Sequence, residues 1–209
     1  MSRYPVPDEV LASLGDKVVA GLSTAVASAR QDLADYRAAF PHIVADHSGR
    51  GLANWIHDRM WAHATVALDG INNLAWVDSG PSRDIYVGMD YHIRLKRHSS
   101  TGAIRNYPTA TALDFVAQEP DLLTLLGITT LNVSVGYEWD DLTRSMGNAV
   151  ISLRDGSFDD VIWMSDLPAA PAAGGVIVTP IVPTGDGPAA PIIEVPRIDG
   201  QEQEGTTDS

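Results

Sequence analysis

The sequence predicts an α+β fold in which two N-terminal helices pack on a mainly antiparallel sheet of about five to six strands. Apolar residues recur every three or four positions in the N-terminal third of the chain, which is helical spacing. They then alternate with polar residues in short runs joined by turn sequences, which is typical of hairpin-linked strands. After residue 166 the composition shifts to proline, alanine and glycine. We therefore predict one domain over residues 1–166 and a tail over residues 167–209.

The N-terminal third is predicted to form two helices. The first runs from Asp8 to Phe40, and Pro41 ends it because proline disfavours helix in the residue before it. The second starts at Ser48, a preferred capping residue, and runs to about Leu68. Both helices are amphipathic, so each is expected to pack one side on the sheet.

The longest alternating run lies between Ile85 and His98, where every odd-numbered residue up to Leu95 is apolar. A turn at residues 99–102 should lead into a return strand over residues 103–107, which would bring Arg105 beside this run. The alternation predicts one half-buried strand whose polar face carries Asp90, His92, Arg94 and Lys96.

Further elements follow from capping and turn residues. Thr109 is a capping residue for a short helix that ends near Gln118, and residues 120–126 can add another helical turn or two. Asp155-Gly156 is a strong hairpin signal between the last two strands. The remaining predicted strands are residues 72–77, 131–138, 149–153 and 158–164, and the second of these places Asn132, Ser134 and Glu138 on one face.

The tail is compositionally distinct from the domain. It contains seven of the chain's 13 prolines and is acidic, so most of it is predicted to be disordered or bound to a partner. Two apolar runs within it, Val176–Val178 and Ile192–Ile193, are suited to adding a strand to a sheet edge. The predicted domain is acidic even without the tail.

Overall composition argues against several classes of function. The formal net charge is -13, so binding to DNA or anionic lipid over most of the surface is unfavourable. Without cysteine the chain has neither disulfides nor thiolate metal ligands, and we expect no cofactor. No run approaches the ~20 apolar residues that span a membrane, which predicts a cytoplasmic protein without membrane contact. The sequence leaves the oligomeric state open.

The segment from Tyr91 to Leu113 reverses the sign of the charge, because it contains arginine and lysine but no acidic residue. Guanidinium groups bind phosphate in a bidentate manner, lysine adds a point charge, and histidine titrates near neutral pH. Such a set suits RNA or nucleotide phosphate, with histidine as general base or acid. The structural alternative is a solvent-facing strand, which needs no function. The candidate catalytic residues are His92, Arg94, Lys96 and Arg105.

A second polar group spans the two predicted helices and contains four of the six histidines. The spacings between these histidines miss the i, i+4 step and HExxH is absent, so we predict no metal site. Helix caps, surface positions and a polar contact between helix and sheet are the structural alternatives. The group consists of His42, Asp46, His47, Arg50, His57, Asp58 and His63, of which Arg50, His57 and Asp58 are candidate binding residues.

Several short motifs occur in a recognisable order: His47, Arg50, Asn54, His57-Asp58, Lys96, the run from Arg105 to Thr109, the run from Val135 to Tyr137, and Trp163. This order resembles a family of small bacterial proteins whose genes often lie beside genes for regulators with an ImmA/IrrE-type metallopeptidase domain. The match covers about residues 33–166. The resemblance implies a mobile-element, toxin–antitoxin or phage-defence setting and adds Asn106 to the candidate binding residues. It assigns no catalytic residue.

Two hypotheses of function follow. In the first, the chain belongs to a toxin–antitoxin or phage-defence module and acts on RNA or a nucleotide through the basic strand face. In the second, it is a non-catalytic acidic protein that engages a protein partner, encoded nearby, through its surface and its tail.

Overall fold

The computed structural model describes residues 4–79, 82–104, 106, 108–118 and 130–169, all within one compact unit, Met1–Gly174. The fold is α+β, as predicted: helices come first and a six-stranded mixed sheet follows. The helices are α1 (Pro7–Leu14), α2 (Asp16–Ala39), α3 (Pro41–Asp46), α4 (Gly49–Ala67) and α5 (Ala110–Ala117). The strands are β1 (Leu74–Asp78), β2 (Arg83–Val87), β3 (Tyr91–His98), β4 (Leu131–Asp140), β5 (Ser145–Arg154) and β6 (Val161–Asp166).

The N-terminal helical segment is broken, so the predicted single helix from Asp8 to Phe40 is wrong at one point. Gly15 has a φ of 82°, a conformation that glycine adopts without steric cost, and it separates α1 from α2. The two helices are bent by 101° at this break. Among the described residues no single helix is long and apolar enough to cross a membrane, although α1 and α2 taken together pass that test.

The second predicted helix is confirmed as α4. The hydroxyl of Ser48 accepts a hydrogen bond from the backbone N–H of Gly51 at 3.0 Å, which is the expected N-cap. The short helix α3 between α2 and α4 was not predicted, because six residues offer too few turns for a periodic signal.

The strands lie in the sheet in sequence order, from β1 to β6. Every neighbouring pair is antiparallel except β3 and β4, which are parallel. A parallel pair needs a crossover connection, and α5 lies within that connection. Thr109 caps α5 by accepting a hydrogen bond from the N–H of Ala112, as predicted.

The predicted single strand from Ile85 to His98 is in fact a hairpin. β2 ends at Val87, Gly88 turns with a φ of 59°, and β3 starts at Tyr91. Asp90 therefore lies in the turn and not in the row of strand side chains. The alternation continues through the turn because Val87 pairs with Tyr91, so odd residues of both strands stay on one face.

The two faces of the sheet are covered differently. The main core lies between the sheet and the helices α2 and α4, and the apolar odd-numbered strand residues point into it. In a second, smaller apolar cluster, Phe115 and Val116 of α5 pack with Ile104. The polar face of the sheet is thus partly covered by α5.

Several predictions fall on residues outside the described ranges. They concern Arg105, the helical turn at residues 120–126 and the tail from residue 170 onward. Of the predicted return strand, the described part shows a bridge between His98 and Ile104. At the other end Leu167 is buried and donates a backbone hydrogen bond to Ala149.

Candidate functional site

The polar face of β2, β3 and β4 carries a buried charge cluster under α5. Asp84 is 5% exposed and Arg94 is 8% exposed, so the basic strand face predicted from alternation does not face solvent here. Asp84 and Arg94 are paired across β2 and β3 in the sheet register, which brings their side chains to the same face. The arginine therefore meets a carboxylate within the chain before it can meet a ligand.

Asp84 is the centre of this cluster. Its Oδ1 accepts hydrogen bonds from His92 Nε2 at 2.7 Å and from Arg94 Nε at 2.5 Å, and its second oxygen accepts one from the Ser82 hydroxyl. Burial alone would raise the pKa of this carboxyl, but the three hydrogen bonds outweigh burial and hold the pKa well below its usual range. Asp84 is therefore a carboxylate at every physiological pH.

His92 has contacts to both of its ring nitrogens and to two aromatic rings. Its Nδ1 lies 3.0 Å from Asn132 Oδ1, and its ring stacks on Tyr86 with a centroid distance of 4.5 Å. Phe115 of α5 meets the ring edge-on at 4.9 Å. Gln118 fixes the backbone of Asn132 from both sides, by donating to its carbonyl and accepting from its N–H. His92 thus has partners for both nitrogens, which is unlike a general base that awaits a substrate.

Arg94 attaches α5 to the sheet. Besides its bond to Asp84, it donates from Nη1 to the carbonyl of Thr111 at 3.0 Å. Its guanidinium lies 4.5 Å from the centroid of the Phe115 ring, a cation–π contact. These contacts use the Nε donor and one Nη1 donor, and Arg94 is only 8% exposed, so little of its guanidinium is open to a phosphate. Arg94 is consequently a structural cation in this fold.

Lys96 differs from its neighbours on β3. It is half-buried, and no carboxylate of the described residues lies within 4.0 Å of its ammonium group. Burial and the positive charge of Arg94 lower its pKa to about 8. Of the three predicted catalytic residues that the structure describes, Lys96 is the one whose charge has no carboxylate partner.

A second buried polar network lies farther along β3 and β5. Ser152 Oγ lies 2.8 Å from His98 Nε2 and accepts from Arg154 Nη1 at 2.6 Å. Arg154 also donates to the carbonyls of Phe158 and Gly102. Burial, together with the charge of Arg154, lowers the pKa of His98 to about 3. His98 is therefore neutral and serves as a core residue.

The remaining binding candidates lie on α4 and in the segment before α5. Asp58 forms an ion pair with Arg83 at 2.5 Å, and His57 is half-buried on α4. Burial, and then the charges of Lys96 and Arg83, lower the pKa of His57. Arg50 is exposed in the first turn of α4, and Asn106 is exposed in the segment before α5.

Two of the histidines in the helical region, His47 and His63, have structural partners. His47 Nε2 lies 3.1 Å from the hydroxyl of Tyr36, and His63 Nε2 lies 2.6 Å from Asp32 Oδ2. Arg59 binds the same carboxylate oxygen at 2.6 Å. Within the part of the chain that the structure describes, no three histidine or carboxylate groups are placed to hold one metal ion.

Sequence reasoning missed Asp84, the residue that decides the electrostatics of the cluster. A signal for it existed, because residue 84 has the same parity as the polar even-numbered residues of the alternating run. The hairpin turn at Gly88 hid the relation between them, since it placed Asp84 opposite Arg94 instead of ten positions along one strand.

Comparison with known protein families, curated proteins and solved structures found no match to this chain. Its function is therefore inferred from its own fold, contacts and charges.

Proposed function

We propose that this protein is the acidic, non-catalytic member of a bacterial two-gene module of the toxin–antitoxin or phage-defence type. In this proposal it acts in the cytoplasm by binding the protein encoded by the adjacent gene. The observation that carries the proposal is the charge of its exposed surface. Fifteen acidic residues are exposed in the described part of the chain, whereas the exposed basic residues there are Lys17, Arg30 and Arg50.

The excess of exposed acid arises because the arginines bind within the protein. Three of them neutralise carboxylates: Arg59 binds Asp32, Arg83 binds Asp58, and Arg94 binds Asp84. Four more, of which Arg30 remains exposed, donate to main-chain carbonyls in other parts of the fold. The arginines with such internal partners are Arg30, Arg37, Arg59, Arg83, Arg94, Arg144 and Arg154.

Such a surface favours one kind of partner. A negative potential repels nucleic acid and anionic lipid and attracts a basic protein surface, which raises the rate of association. Among the described residues, His92 and Arg94 are already bound by Asp84, Asn132 and α5, which also favours a binding role over a catalytic one.

Co-expression with the product of the adjacent gene tests the proposal. We expect the two proteins to co-elute in size-exclusion chromatography. We also expect the Kd to rise about tenfold between 50 and 300 mM salt, because salt screens charge attraction. Separate elution of the two proteins at low salt would contradict the proposal.

A second candidate function rests on Lys96. An un-neutralised, half-buried ammonium group is suited to binding a phosphate of RNA or a nucleotide. If this candidate is right, Lys96→Ala should abolish growth inhibition or RNA turnover, whereas Lys17→Ala, which changes an exposed lysine of α2, should leave both intact. Equal behaviour of the two variants would reject it. Arg94→Ala is a poor probe here, because it also removes a buried ion pair.

A further inference from the structure

The turn between β4 and β5 presents an apolar side chain to solvent. Asp140 and Ser145 pair at the end of the two strands, so residues 141–144 form the tip of the hairpin. Leu142, at this tip, is 96% exposed. Among the described residues it is the most exposed of the large apolar side chains. A single exposed leucine is common in folded proteins. The turn that carries this one is distinguished by the hydrogen bonds that hold its backbone.

The backbone of the turn is fixed from within. Asp140 Oδ1 accepts hydrogen bonds from the N–H groups of Leu142 and Thr143, at 2.8 and 3.3 Å, and its Oδ2 accepts one from the Thr143 hydroxyl at 2.7 Å. Arg144 has a φ of 54°, which a residue other than glycine seldom adopts. The tip is therefore held in one conformation instead of being a loose loop.

Arginines fix the same hairpin to the helices. Arg37 of α2 donates to the carbonyl of Arg144, and Arg30 of α2 donates to the carbonyl of Gly147 at 3.1 Å. Arg144 reaches in the opposite direction and donates to the carbonyl of His47, just after α3, at 2.9 Å. These long side chains lose rotamer freedom to hold a turn whose apolar residue, Leu142, is almost fully exposed. A rigid apolar tip of this kind is pre-organised for insertion into a pocket.

We propose that the β4–β5 turn is the contact point for the protein partner, with Leu142 entering an apolar pocket that is rimmed by lysine or arginine. The basic rim follows from charge, because the carboxylates of Asp140 and Asp141 are exposed on the chain just before Leu142. A second copy of this chain would bring like charges together at the same place. This inference rests on the proposed function and names the surface through which it operates.

The experiment measures the Kd of the full-length chain for the product of the adjacent gene by titration calorimetry. Leu142→Ala removes the apolar contact, and Asp141→Asn removes one charge. Val66→Ala is the control, because Val66 is 76% exposed on α4, at the end of that helix away from α3. The two positions lie at opposite ends of the helical layer, since α4 extends about 25 Å from its first turn to Val66.

We expect Leu142→Ala to raise the Kd more than tenfold, as a central apolar anchor does, and Val66→Ala to change it less than about twofold. Asp141→Asn should mainly slow association at low salt. All variants should keep the thermal midpoint of the wild type, because the altered side chains are exposed.

Three other outcomes would reject the contact proposal. If Leu142→Ala binds as tightly as the wild type, the contact lies elsewhere although the proposed function stands. If the chain alone forms a dimer that Leu142→Ala dissociates, the turn contacts a second copy. If the wild type binds nothing, the proposed function fails and the contact proposal fails with it.

Discussion

Replacement of Arg94 by methionine tests whether the basic strand face is a buried structural network. The substitution keeps most of the side-chain volume but removes the ion pair with Asp84, the hydrogen bond to Thr111 and the cation–π contact with Phe115. Breaking a buried ion pair by removing one partner costs about 3–5 kcal/mol, because the remaining charge stays buried. His92 still binds Asp84 in the variant, so we expect a loss of about 3 kcal/mol in the free energy of unfolding.

The pH dependence of that loss provides a sharper test. The folded-state pKa of Asp84 lies below its unfolded value of about 3.9, so its stabilising contribution is present above that pH and is lost as the pH falls toward the folded value. In Arg94→Met the carboxyl is buried with fewer partners, which raises its folded pKa, so protonation relieves the uncompensated charge. The difference in stability between wild type and variant should therefore shrink below about pH 4.

Urea unfolding followed by tryptophan fluorescence, at pH 7 and at pH 3.5, measures both quantities. Arg50→Met is the control, because Arg50 is exposed and its loss should change the free energy of unfolding by less than about 0.5 kcal/mol. If Arg94→Met behaved like Arg50→Met at pH 7, Arg94 would be a solvated surface cation. The interpretation of the cluster as a buried network would then be wrong.

Three further predictions concern single positions. Gly136→Ala should cost several kcal/mol of stability, on the order of an overpacked core site, because a Cβ there would overlap the carbonyl oxygen of Lys96. Gly49→Ala is the control, and it should not lower the thermal midpoint because the space around Gly49 is open. Lys96→Met should raise the free energy of unfolding at pH 7, because the lowered folded-state pKa of Lys96 means that its charged form destabilises the folded protein. Urea titrations should show that this gain vanishes by about pH 10, where the lysine loses its charge in the unfolded state as well. His98→Gln should make the free energy of unfolding less sensitive to acid between about pH 6.5 and pH 3. The reason is that His98 of the wild type takes up a proton in the unfolded state over this range but not in the folded state. If wild type and variant lost stability equally on acidification, His98 would not be neutral in the folded state.

The fold was largely predictable because its signals are local. The cap at Ser48, the cap at Thr109 and the hairpin signal at Asp155-Gly156 each act over a few residues, and each marks an element boundary in the structure. The break at Gly15 was missed because a glycine within an apolar-periodic run is often tolerated in a helix. The parallel pairing of β3 with β4 was not predicted, since it depends on the crossover through α5 and not on either strand sequence.

The site was less predictable because a charge count over a sequence window misses residues that are close only in the folded structure. The count over Tyr91 to Leu113 found no acid, yet Asp84 lies seven positions before that window and reaches its arginine through the hairpin register. The alternation of apolar and polar residues also does not distinguish a solvent-exposed polar face from one that another element covers. Here α5 covers part of that face. What alternation did predict correctly is that His92, Arg94 and Lys96 share β3 at every second residue.

The internal contacts of the arginines also affect the charge of the protein surface. The pair of Arg94 and Asp84 removes one cation and one anion from the surface, so it leaves the surface charge balance unchanged. Arginines that bind main-chain carbonyls, such as Arg37 and Arg154, remove cations without neutralising any acid. The surface is thus more negative than the net charge of the chain alone requires. If that potential serves to bind a basic partner, the partner's affinity should respond to substitution of exposed acids such as Asp141 and should be insensitive to Arg94, as long as the fold is intact.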